Sequence, residues 1–367
     1  MTSPSRNGTS VTTNRAAILN LLCQEDGISR TRIAEITGIP LPTVHRLCAQ
    51  LKQDGMLLET RENKEGPGRP VHLLHFNARF RAVLSINVRG TVIDGAVMSL
   101  NDRILHEEHL PYNPDPGVGG ETESYIRHII SMVEGLRRWA NDQGIPCNGI
   151  GVGVPGIVQE NGLVTAASEL KWNEVPLQAI LNTAFEDDVL IENNANASAY
   201  GESLAGAGAG KNPVVGYTMR HFGVGAGIIM DGRILRGHHG MAGEMGYTLT
   251  GRESLSRYYT YGGDLEWRIS RISALEGKAG SEEREYLYDL IALSISNICL
   301  VVDPEIIVMD IHSPLPVEEL LQGVNKRLVG RIPHLPGIVT TELGHRASVI
   351  GIGELIGQRV RSKVFHD

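Results

Sequence analysis

Thr43, His45 and Arg46 are polar residues whose spacing places them beside the apolar stripe of a helix predicted over residues 41–54. The stripe recurs at intervals of three and four residues and consists of Val44, Leu47, Cys48 and Leu51. Hydroxyl, imidazole and guanidinium groups can hydrogen-bond to the edges of DNA bases and to phosphates. The pattern therefore predicts a helix that presents one polar face to a nucleic acid.

Two shorter helices are predicted ahead of this one, and the three together are typical of a helix-turn-helix. The first spans residues 14–24, and the second spans residues 30–37 with Ser29 as its N-cap. A turn at residues 37–40 separates the second helix from the polar one. In this motif the last helix enters the major groove with its N-terminal residues nearest the bases, so the three polar residues are the contact candidates.

A charged hairpin is predicted after Gly55. Strand-like runs at residues 56–60 and 71–76 flank a Gly- and Pro-containing stretch, which indicates the wing of a winged helix-turn-helix. We expect this domain to occupy residues 14–77, behind a disordered tail over residues 1–13. The further basic candidates for DNA contact on the second helix and the wing are Arg30, Arg32, Arg61, Lys64 and Arg69.

The charge distribution is typical of a nucleic-acid-binding head on an acidic body. The chain carries 34 Lys and Arg residues against 42 Asp and Glu residues, a net charge of −8. Residues 1–80 hold ten of the basic and seven of the acidic residues, a net charge of +3, so the remainder carries −11. Such a head can contact phosphates while the body is repelled by them.

The cysteine pattern and the hydropathy favour a cytoplasmic protein. Four widely separated cysteines, with no Cys-x-x-Cys pair, argue against a disulfide framework and against a cysteine-rich zinc site. Residues 1–13 are polar and have no secretory signal pattern. No apolar run is expected to be long enough to span a membrane, so we expect no membrane partner.

After residue 80 the pattern changes to strands alternating with helices, which is typical of an α/β fold. A buried strand over residues 149–154 ends in Pro155-Gly156, and a second over residues 189–192 leads through Asn193 into an Ala-rich helix. Open α/β sheets bind ligands at such carboxyl ends of strands. A strand meander, a helix and a strand occur in this order twice, so we expect two similar lobes with a cleft between them.

Several motifs of the body and one motif of the wing occur together. They are Gly151-Val152-Gly153-Val154-Pro155-Gly156, Ile191-Glu192-Asn193-Asn194-Ala195-Asn196, Gly223-Val224-Gly225-Ala226-Gly227-Ile228-Ile229, Ala242-Gly243-Glu244-Met245-Gly246, Asp303-Pro304-Glu305-Ile306-Ile307-Val308 and Gly68-Arg69-Pro70. With these motifs the chain resembles the ROK family, which groups repressors and sugar kinases. The resemblance implies a two-lobed actin/hexokinase-like (ribonuclease H-like) α/β fold behind the winged helix-turn-helix. It places lobe 1 at residues 80–195 together with the C-terminal helix 347–365, and lobe 2 at residues 196–346.

The resemblance also implies a sugar site in the cleft. Asn193 and Glu244 match family residues that hydrogen-bond sugar hydroxyls. At three positions the chain departs from the family: Glu169 falls near a common Asn, Tyr247 replaces a sugar-contacting His, and Ser256 sits near a usual Glu. Each of the other assignments has a structural alternative: Asn193 could be a helix cap and Glu244 a loop-stabilising carboxylate. Tyr247 could be a packing residue. A changed set of donors and acceptors implies a changed ligand or none.

Departures at the catalytic positions favour a regulator over a kinase. Asn194 stands where the family kinases carry an Asp as general base, and an amide cannot take up a proton at neutral pH. The family's Asp-x-Gly-Gly-Thr phosphate-binding turn reads Asn87-Val88-Arg89-Gly90-Thr91 here, without the carboxylate. The family's zinc ligands are missing as well, since Tyr247 replaces a His and residues 249–261 contain no Cys. We expect no catalytic residue, no cofactor and no metal.

The leading hypothesis is a sequence-specific DNA-binding regulator, a repressor of genes for carbohydrate uptake or catabolism, whose kinase-like domain senses a sugar or sugar derivative without catalysis. Its partners would be operator DNA and that small effector. A homodimer or homotetramer is expected because helix-turn-helix proteins commonly read paired half-sites. Two alternatives stay open at this point: a ROK-type sugar kinase with a fused DNA-binding head, and a constitutive regulator with a vestigial pocket.

Overall fold

The computed structural model describes residues 6–62, 71–112, 120–220, 223–258, 262–275, 280–311 and 315–366. The N-terminal unit, the head, contains the helices α1 (Arg6–Gln24), α2 (Arg30–Thr37) and α3 (Leu41–Gln53) and the strands β1 (Ile28–Ser29), β2 (Leu57–Glu62) and β3 (Val71–Phe76). The strands form one antiparallel sheet in the order β1-β3-β2. This arrangement confirms the predicted winged helix-turn-helix.

Local sequence explains where the helices of the head begin and end. Ser29 Oγ accepts a 3.2 Å hydrogen bond from the N–H of Arg32 and caps α2, while Gly38 ends that helix with a φ of 69°. The predicted apolar stripe of α3 is buried in full. The prediction of a disordered tail is wrong for residues 6–13, which extend α1. Their Ser- and Thr-rich sequence lacks the apolar periodicity that marks a helix.

Lobe 1 follows the head. Its strands are β4 (Ala82–Arg89), β5 (Val92–Ser99), β6 (Ile104–Pro111), β7 (Cys147–Val154), β8 (Ile157–Val158), β9 (Val164–Ala167), β10 (Trp172–Val175) and β11 (Asp188–Asn193). Five of these form a mixed sheet in the order β11-β7-β4-β5-β6, and the other three form a small antiparallel sheet after β7. An apolar core joins the main sheet to the helices α4 (Gly120–Asp142) and α5 (Leu177–Ala184).

Lobe 2 has a similar architecture, built on a second five-stranded sheet. It contains the helix α6 (Asn194–Ala205), the strands β12 (Val214–Arg220), β13 (Gly223–Met230), β14 (Arg233–Ile234), β15 (Ile306–Ile311) and β16 (Gly337–Thr340), and the helices α7 (Asp264–Ser273), α8 (Ser281–Val302) and α9 (Val317–Leu328). The strand order is β14-β13-β12-β15-β16. Asp231 and Gly232 join β13 to β14 with φ values of 52° and 70°, as their sequence predicts for a two-residue hairpin.

Two helices lie between the sheets and join the lobes. α6 packs on β12 and β13 of lobe 2, the last helix α10 (Arg346–Val364) packs on β4 and β7 of lobe 1, and the two helices pack on each other. Their backbones come so close that a Cβ at Gly201 would overlap the carbonyl oxygen of Ala347. A Cβ at Gly351 would likewise overlap the carbonyl oxygen of Ala197. Glycine at these two positions is therefore what lets the helices approach.

The head and lobe 1 share one continuous apolar core. Phe76 at the end of β3 packs on Phe365, directly after α10, with ring centroids 6.0 Å apart. The same cluster contains side chains of α1, α3 and α10. At the rim, Asp26 of the head accepts a 2.7 Å hydrogen bond from Arg103 of lobe 1 and also contacts the ring of His75 at 2.8 Å. The head is therefore docked on lobe 1 by both packing and an ion pair.

Helix α8 shows why hydropathy alone misleads in this chain. Within the described residues it is the one helix long and apolar enough to cross a membrane, with a mean hydropathy of 1.5 in its most apolar window. The prediction that the chain has no such stretch is therefore wrong. A share of 56% of that window is buried inside the protein, where Leu287, Ile291 and Ile295 belong to the core of lobe 2. Packing in this core accounts for the buried part of that window.

Candidate functional site

The exposed face of α3 carries the residues predicted to contact DNA. His45 and Arg46 are exposed, and Thr43 is half-buried near the N-terminus of the helix. The Arg46 guanidinium makes a long hydrogen bond of 3.5 Å to the neutral side chain of Gln50, one turn later. That contact does not neutralise its charge, so the face keeps the chemistry needed for bases and phosphates.

The other basic candidates have different surroundings. The Arg30 guanidinium lies 2.6 Å from a carboxylate oxygen of Glu59 on β2, and only 18% of its side chain is exposed, so it connects two elements of the head. Arg32 is exposed and pairs with Glu35 one turn later at 3.2 Å. Arg61 is exposed on β2. The remaining two candidates, Lys64 and Arg69, lie outside the described residues.

A cleft opens between the lobes at the carboxyl ends of β7, β11 and β12, as predicted for a ligand site. One wall is the turn Pro155-Gly156 after β7. Gly156 has a φ of 103°, and a Cβ there would overlap the carbonyl oxygen of Ala166. The sharp turn that shapes this wall therefore requires glycine.

Asn193 combines a helix cap with a position in the cleft. Its Oδ1 atom accepts hydrogen bonds of 2.7 Å and 3.0 Å from the N–H groups of Ala195 and Asn196, which caps α6. Its Nδ2 atom donates to the carbonyl oxygen of Gly156 at 2.7 Å and to a carboxylate oxygen of Glu244 at 3.5 Å. Asn193 is therefore a helix cap, and the same amide connects the N-terminus of α6 to the cleft wall.

Two carboxyl groups, those of Glu244 and Glu266, meet in the cleft. Burial raises the pKa of Glu244 to about 7, and the neighbouring Glu266 adds to the rise. Burial also raises the pKa of Glu266 to about 7, against a hydrogen bond from Ser168 that lowers it. The Glu266 carboxylate lies against Gly246 and Gly262, where a Cβ would crowd it. Ionised carboxylates accept hydrogen bonds from hydroxyl groups, and protonated ones also donate.

Glu266 is a cleft residue that the sequence analysis missed. Ser256, which the sequence analysis places near a usual Glu, is exposed at the end of a 3₁₀ turn, and its Oγ donates to the carbonyl oxygen of Glu253 at 2.8 Å. The structure places Glu266 in the cleft and Ser256 outside it, because residues 243–247 fold back on β13 and α7 packs beside them. The pair Gly262-Gly263 before an amphipathic helix was the available signal for it.

Asn194 opens α6 at the edge of the cleft and contacts both lobes. Its Nδ2 atom donates to the carbonyl oxygen of Val88 at 3.3 Å, and its own carbonyl oxygen accepts a 3.0 Å hydrogen bond from Ser348 Oγ in α10. A carboxamide cannot accept a proton from a bound hydroxyl at neutral pH. The side chain thus links β4 to α6 at the position where the resemblance implies a base.

The turn between β4 and β5 does not fit a nucleotide phosphate with its metal. Asn87 at the end of β4 offers a neutral amide, and the Arg89 guanidinium is engaged by Asp94, with 2.6 Å between Nε and Oδ2. The space in front of Gly90 is filled by the Glu169 carboxylate, which an added Cβ would overlap. Phosphates in such turns are held by close approach to backbone N–H groups, and here a carboxylate takes that space.

Tyr247 and Arg220 complete the cleft wall. Tyr247 lines the cleft with 40% of its surface exposed, so it is only partly packed. Burial raises the pKa of its hydroxyl, and Glu244 adds to the rise. Arg220, which the sequence analysis also missed, ends β12, and its Nη2 atom lies 2.6 Å from Oδ2 of Asp310. The pairing explains how a guanidinium can stand half-buried in the cleft.

Within the part of the chain that the structure describes, no group of three or more His, Cys, Asp or Glu side chains is placed to hold a metal ion. His238 and His239 are exposed neighbours on the glycine-rich loop. Residues 259–261, which belong to the segment expected to lack zinc ligands, lie outside the described residues. The absence of a metal site stays a prediction.

Comparison with known proteins agrees with this organisation. Residues 12–57 match the winged helix-turn-helix DNA-binding family, and residues 83–263 match the ROK family. The chain is 32% identical over 236 residues to the xylose repressor of Caldicellulosiruptor bescii, a match that covers 64% of this chain and 58% of that repressor. It is 24% identical over 371 residues to the xylose repressor of Bacillus spizizenii, a match that covers 94% of each protein.

A solved structure is similar over nearly the whole chain. The crystal structure of a ROK family transcriptional regulator, a homolog of the E. coli MLC protein, superposes with a TM-score of 0.73 at 18% identity. The superposition covers 97% of this chain and 98% of that one, so the shared fold includes the head as well as both lobes. The chain therefore carries a ROK family domain behind a winged helix-turn-helix.

Proposed function

We propose that this protein is a cytoplasmic, sequence-specific transcription regulator of the repressor type, and that its cleft binds a small sugar without transferring phosphate. The observation that carries the proposal is that one helix, α10, contacts both the ligand cleft and the DNA-binding head. Ser348 in its first turn bonds to Asn194 at the cleft, and Phe365 directly after it packs on Phe76 of the head.

The side chains of the cleft suit a neutral polyhydroxylated ligand. Asn193, Glu244 and Glu266 present amide and carboxyl groups, and sugar hydroxyls can both donate to and accept from such groups. Two relatives that are matched over 94% of their length are xylose repressors, so D-xylose is the first candidate effector. The regulated genes would then serve the uptake and catabolism of a carbohydrate.

Two features argue against phosphoryl transfer. The amide of Asn194 stands where a general base is needed, and such a base increases the reaction rate by a factor of about 10²–10⁴. The β4–β5 turn is occupied by the Glu169 carboxylate rather than open to a phosphate. A sugar can bind at the cleft without either function, so the loss of catalysis is compatible with a sensor.

A sugar bound at Asn193 would act on the N-terminus of α6 and, through Ser348, on α10. The head would move together with α10 because the two share one apolar core. The effector changes DNA affinity only if it binds one arrangement of these helices better than another. Two heads on paired half-sites would convert a small rotation into a change of spacing, so we propose a homodimer or homotetramer as the DNA-binding form.

The test is binding of the purified protein to fragmented genomic DNA of its source organism, followed by sequencing of the retained fragments. The proposal requires discrete sites near its own gene or near neighbouring transport genes. The DNA affinity at such a site should change by about fivefold or more with D-xylose or another sugar from a monosaccharide panel. Uniform retention of all fragments would contradict the proposal, and sugar-dependent ATP turnover in a coupled assay would restore the kinase alternative.

A further inference from the structure

Glu169 occupies the meeting point of the two lobes. It follows β9, lines the cleft, and its carboxylate lies directly against Gly90 in the β4–β5 turn of lobe 1. Because a Cβ at Gly90 would overlap Oε1 of Glu169, the turn has no free space on this side. The carboxylate therefore stands where an anionic group would have to approach the backbone of the turn.

Two guanidinium groups lie near this carboxylate, one from each lobe. Arg220 lines the same cleft, and Arg89 directly precedes Gly90 in the turn. Burial raises the pKa of Glu169, and both arginines lower it by a smaller amount. Each arginine also has a carboxylate of its own: Arg89 pairs with Asp94 and Arg220 with Asp310, both at 2.6 Å. Glu169 thus adds a negative charge near two cations that are already paired.

The charge count of this group decides what can enter it. Three carboxylates against two guanidiniums leave one excess negative charge, so a phosphate group, which carries about −1.5 to −2, is repelled there. Neutralising Glu169 alone removes this excess, because two carboxylates would then balance the two guanidinium groups from opposite lobes. Arginine is well suited to bind phosphate in such a place.

We propose that Glu169 is a specificity-determining residue whose negative charge, near Arg89 and Arg220, excludes phosphorylated and other anionic ligands from the effector cleft. The inference rests on the proposed function of the cleft as a site for a neutral sugar, and it adds the class of ligand that the cleft rejects. It does not depend on DNA binding.

The experiment compares inorganic phosphate binding to wild type, Glu169→Gln and Glu244→Gln at constant ionic strength, by thermal shift and by isothermal titration calorimetry. Both substitutions remove one carboxyl from the same cleft and keep the size of the side chain. Glu244 has Glu266 and Asn193 as neighbours rather than an arginine, so it controls for a general change of charge. We expect at least a tenfold gain in phosphate affinity for Glu169→Gln and no gain for Glu244→Gln.

Two further experiments locate the anion site and identify the anion that fits it. Adding Arg220→Gln to Glu169→Gln should remove the gain. A sugar phosphate and ATP without magnesium, tested on the same variants, distinguish a phosphorylated sugar from a nucleotide as the anion that fits. If Glu169→Gln does not fold, Glu169→Asn takes its place as the shorter neutral side chain.

An equal phosphate affinity of wild type and the folded Glu169 variant would overturn the inference, as would an equal gain in the Glu244 variant. The proposed function has a separate readout, which is the response of wild type to D-xylose and the sugar panel. A protein that responds to no sugar but gains phosphate in Glu169→Gln contradicts the sensor and supports the exclusion of anions.

Discussion

Ser348 Oγ, in the first turn of α10, donates a 3.0 Å hydrogen bond to the carbonyl oxygen of Asn194, the first residue of α6. The Ser348 side chain is buried, and it joins the helix that packs on lobe 1 to the helix that packs on lobe 2. Asn193, the cap of α6, faces the cleft next to this bond. A ligand that moves the start of α6 therefore acts on α10 through a short, direct contact.

Substitution Ser348→Ala should weaken the effect of the sugar on DNA binding. One lost hydrogen bond is worth about 0.5–1.5 kcal/mol, so the ratio of the DNA Kd with and without D-xylose should fall by about two- to tenfold. Fluorescence anisotropy with a DNA site from the genomic experiment measures this ratio. Ser362→Ala, an exposed serine near the end of the same helix, is the matched control. An unchanged ratio in Ser348→Ala would mean that the bond only stabilises the fold.

Substitution Gly351→Ala should strongly destabilise the protein. The added Cβ would overlap the carbonyl oxygen of Ala197 and force α6 and α10 apart, at a cost of about 3 kcal/mol. The Cβ added by Gly357→Ala on the same helix would lie 3.4 Å from the Arg361 guanidinium and 3.8 Å from a carboxylate oxygen of Glu354, both ordinary van der Waals distances. This variant should be about 0.5–1 kcal/mol more stable, because alanine is the better helix former. Urea unfolding of both variants gives the comparison. Equal stabilities would show that the two helices can separate freely.

Substitution Arg46→Ala should weaken DNA binding while leaving stability close to that of wild type. Loss of a base or phosphate contact costs about 1–3 kcal/mol, which is a tenfold or greater rise in the DNA Kd. The control is Arg252→Ala, which removes an exposed arginine from lobe 2. A salt titration separates the two kinds of contact, since a lost phosphate contact also reduces the salt dependence. The same loss in both variants would place the DNA surface elsewhere.

The two cleft carboxyls should make stability fall as pH rises. Their pKa values are raised from 4.5 to about 7, so the folded protein binds protons that the unfolded chain releases between these values. The stabilisation is complete below about pH 4.5 and is lost as pH rises through about 7. Glu266→Gln should reduce the difference in the free energy of unfolding between pH 5 and pH 8 by about 1–2 kcal/mol, as measured by urea unfolding. Glu318→Gln, an exposed residue on α9, should leave it unchanged.

Local elements of the fold could be predicted because neighbouring residues determine them. The apolar stripe from Val44 to Leu51 defines the buried face of α3, Ser29 caps α2, and Asp231-Gly232 makes the hairpin after β13. Each depends on a periodicity or on backbone preferences within a few residues. The two cleft residues Asn193 and Glu244 could be placed because they belong to motifs at the ends of such elements.

Contacts between distant segments could not be predicted in this way. Glu266 reaches the cleft only because residues 243–247 fold back on β13 and α7 packs beside them, and Ser256 lies outside the cleft for the same reason. The position of Glu169 against Gly90 depends on how the small β8–β10 sheet sits on lobe 1. Nothing in the local sequence of α1 or Phe76 indicates that Phe365 completes the core of the head.

Because the head completes its core with Phe365 and α10, it depends on a segment that is synthesised only after both lobe sheets. A growing chain that has released the head and both sheets still lacks the helix that fills the space between them. Folding of the DNA-binding unit in its final position thus requires that synthesis has passed α10. Incomplete chains cut before Arg346 would present a head with an unfilled apolar face, which makes them targets for proteolysis rather than competitors for the operator.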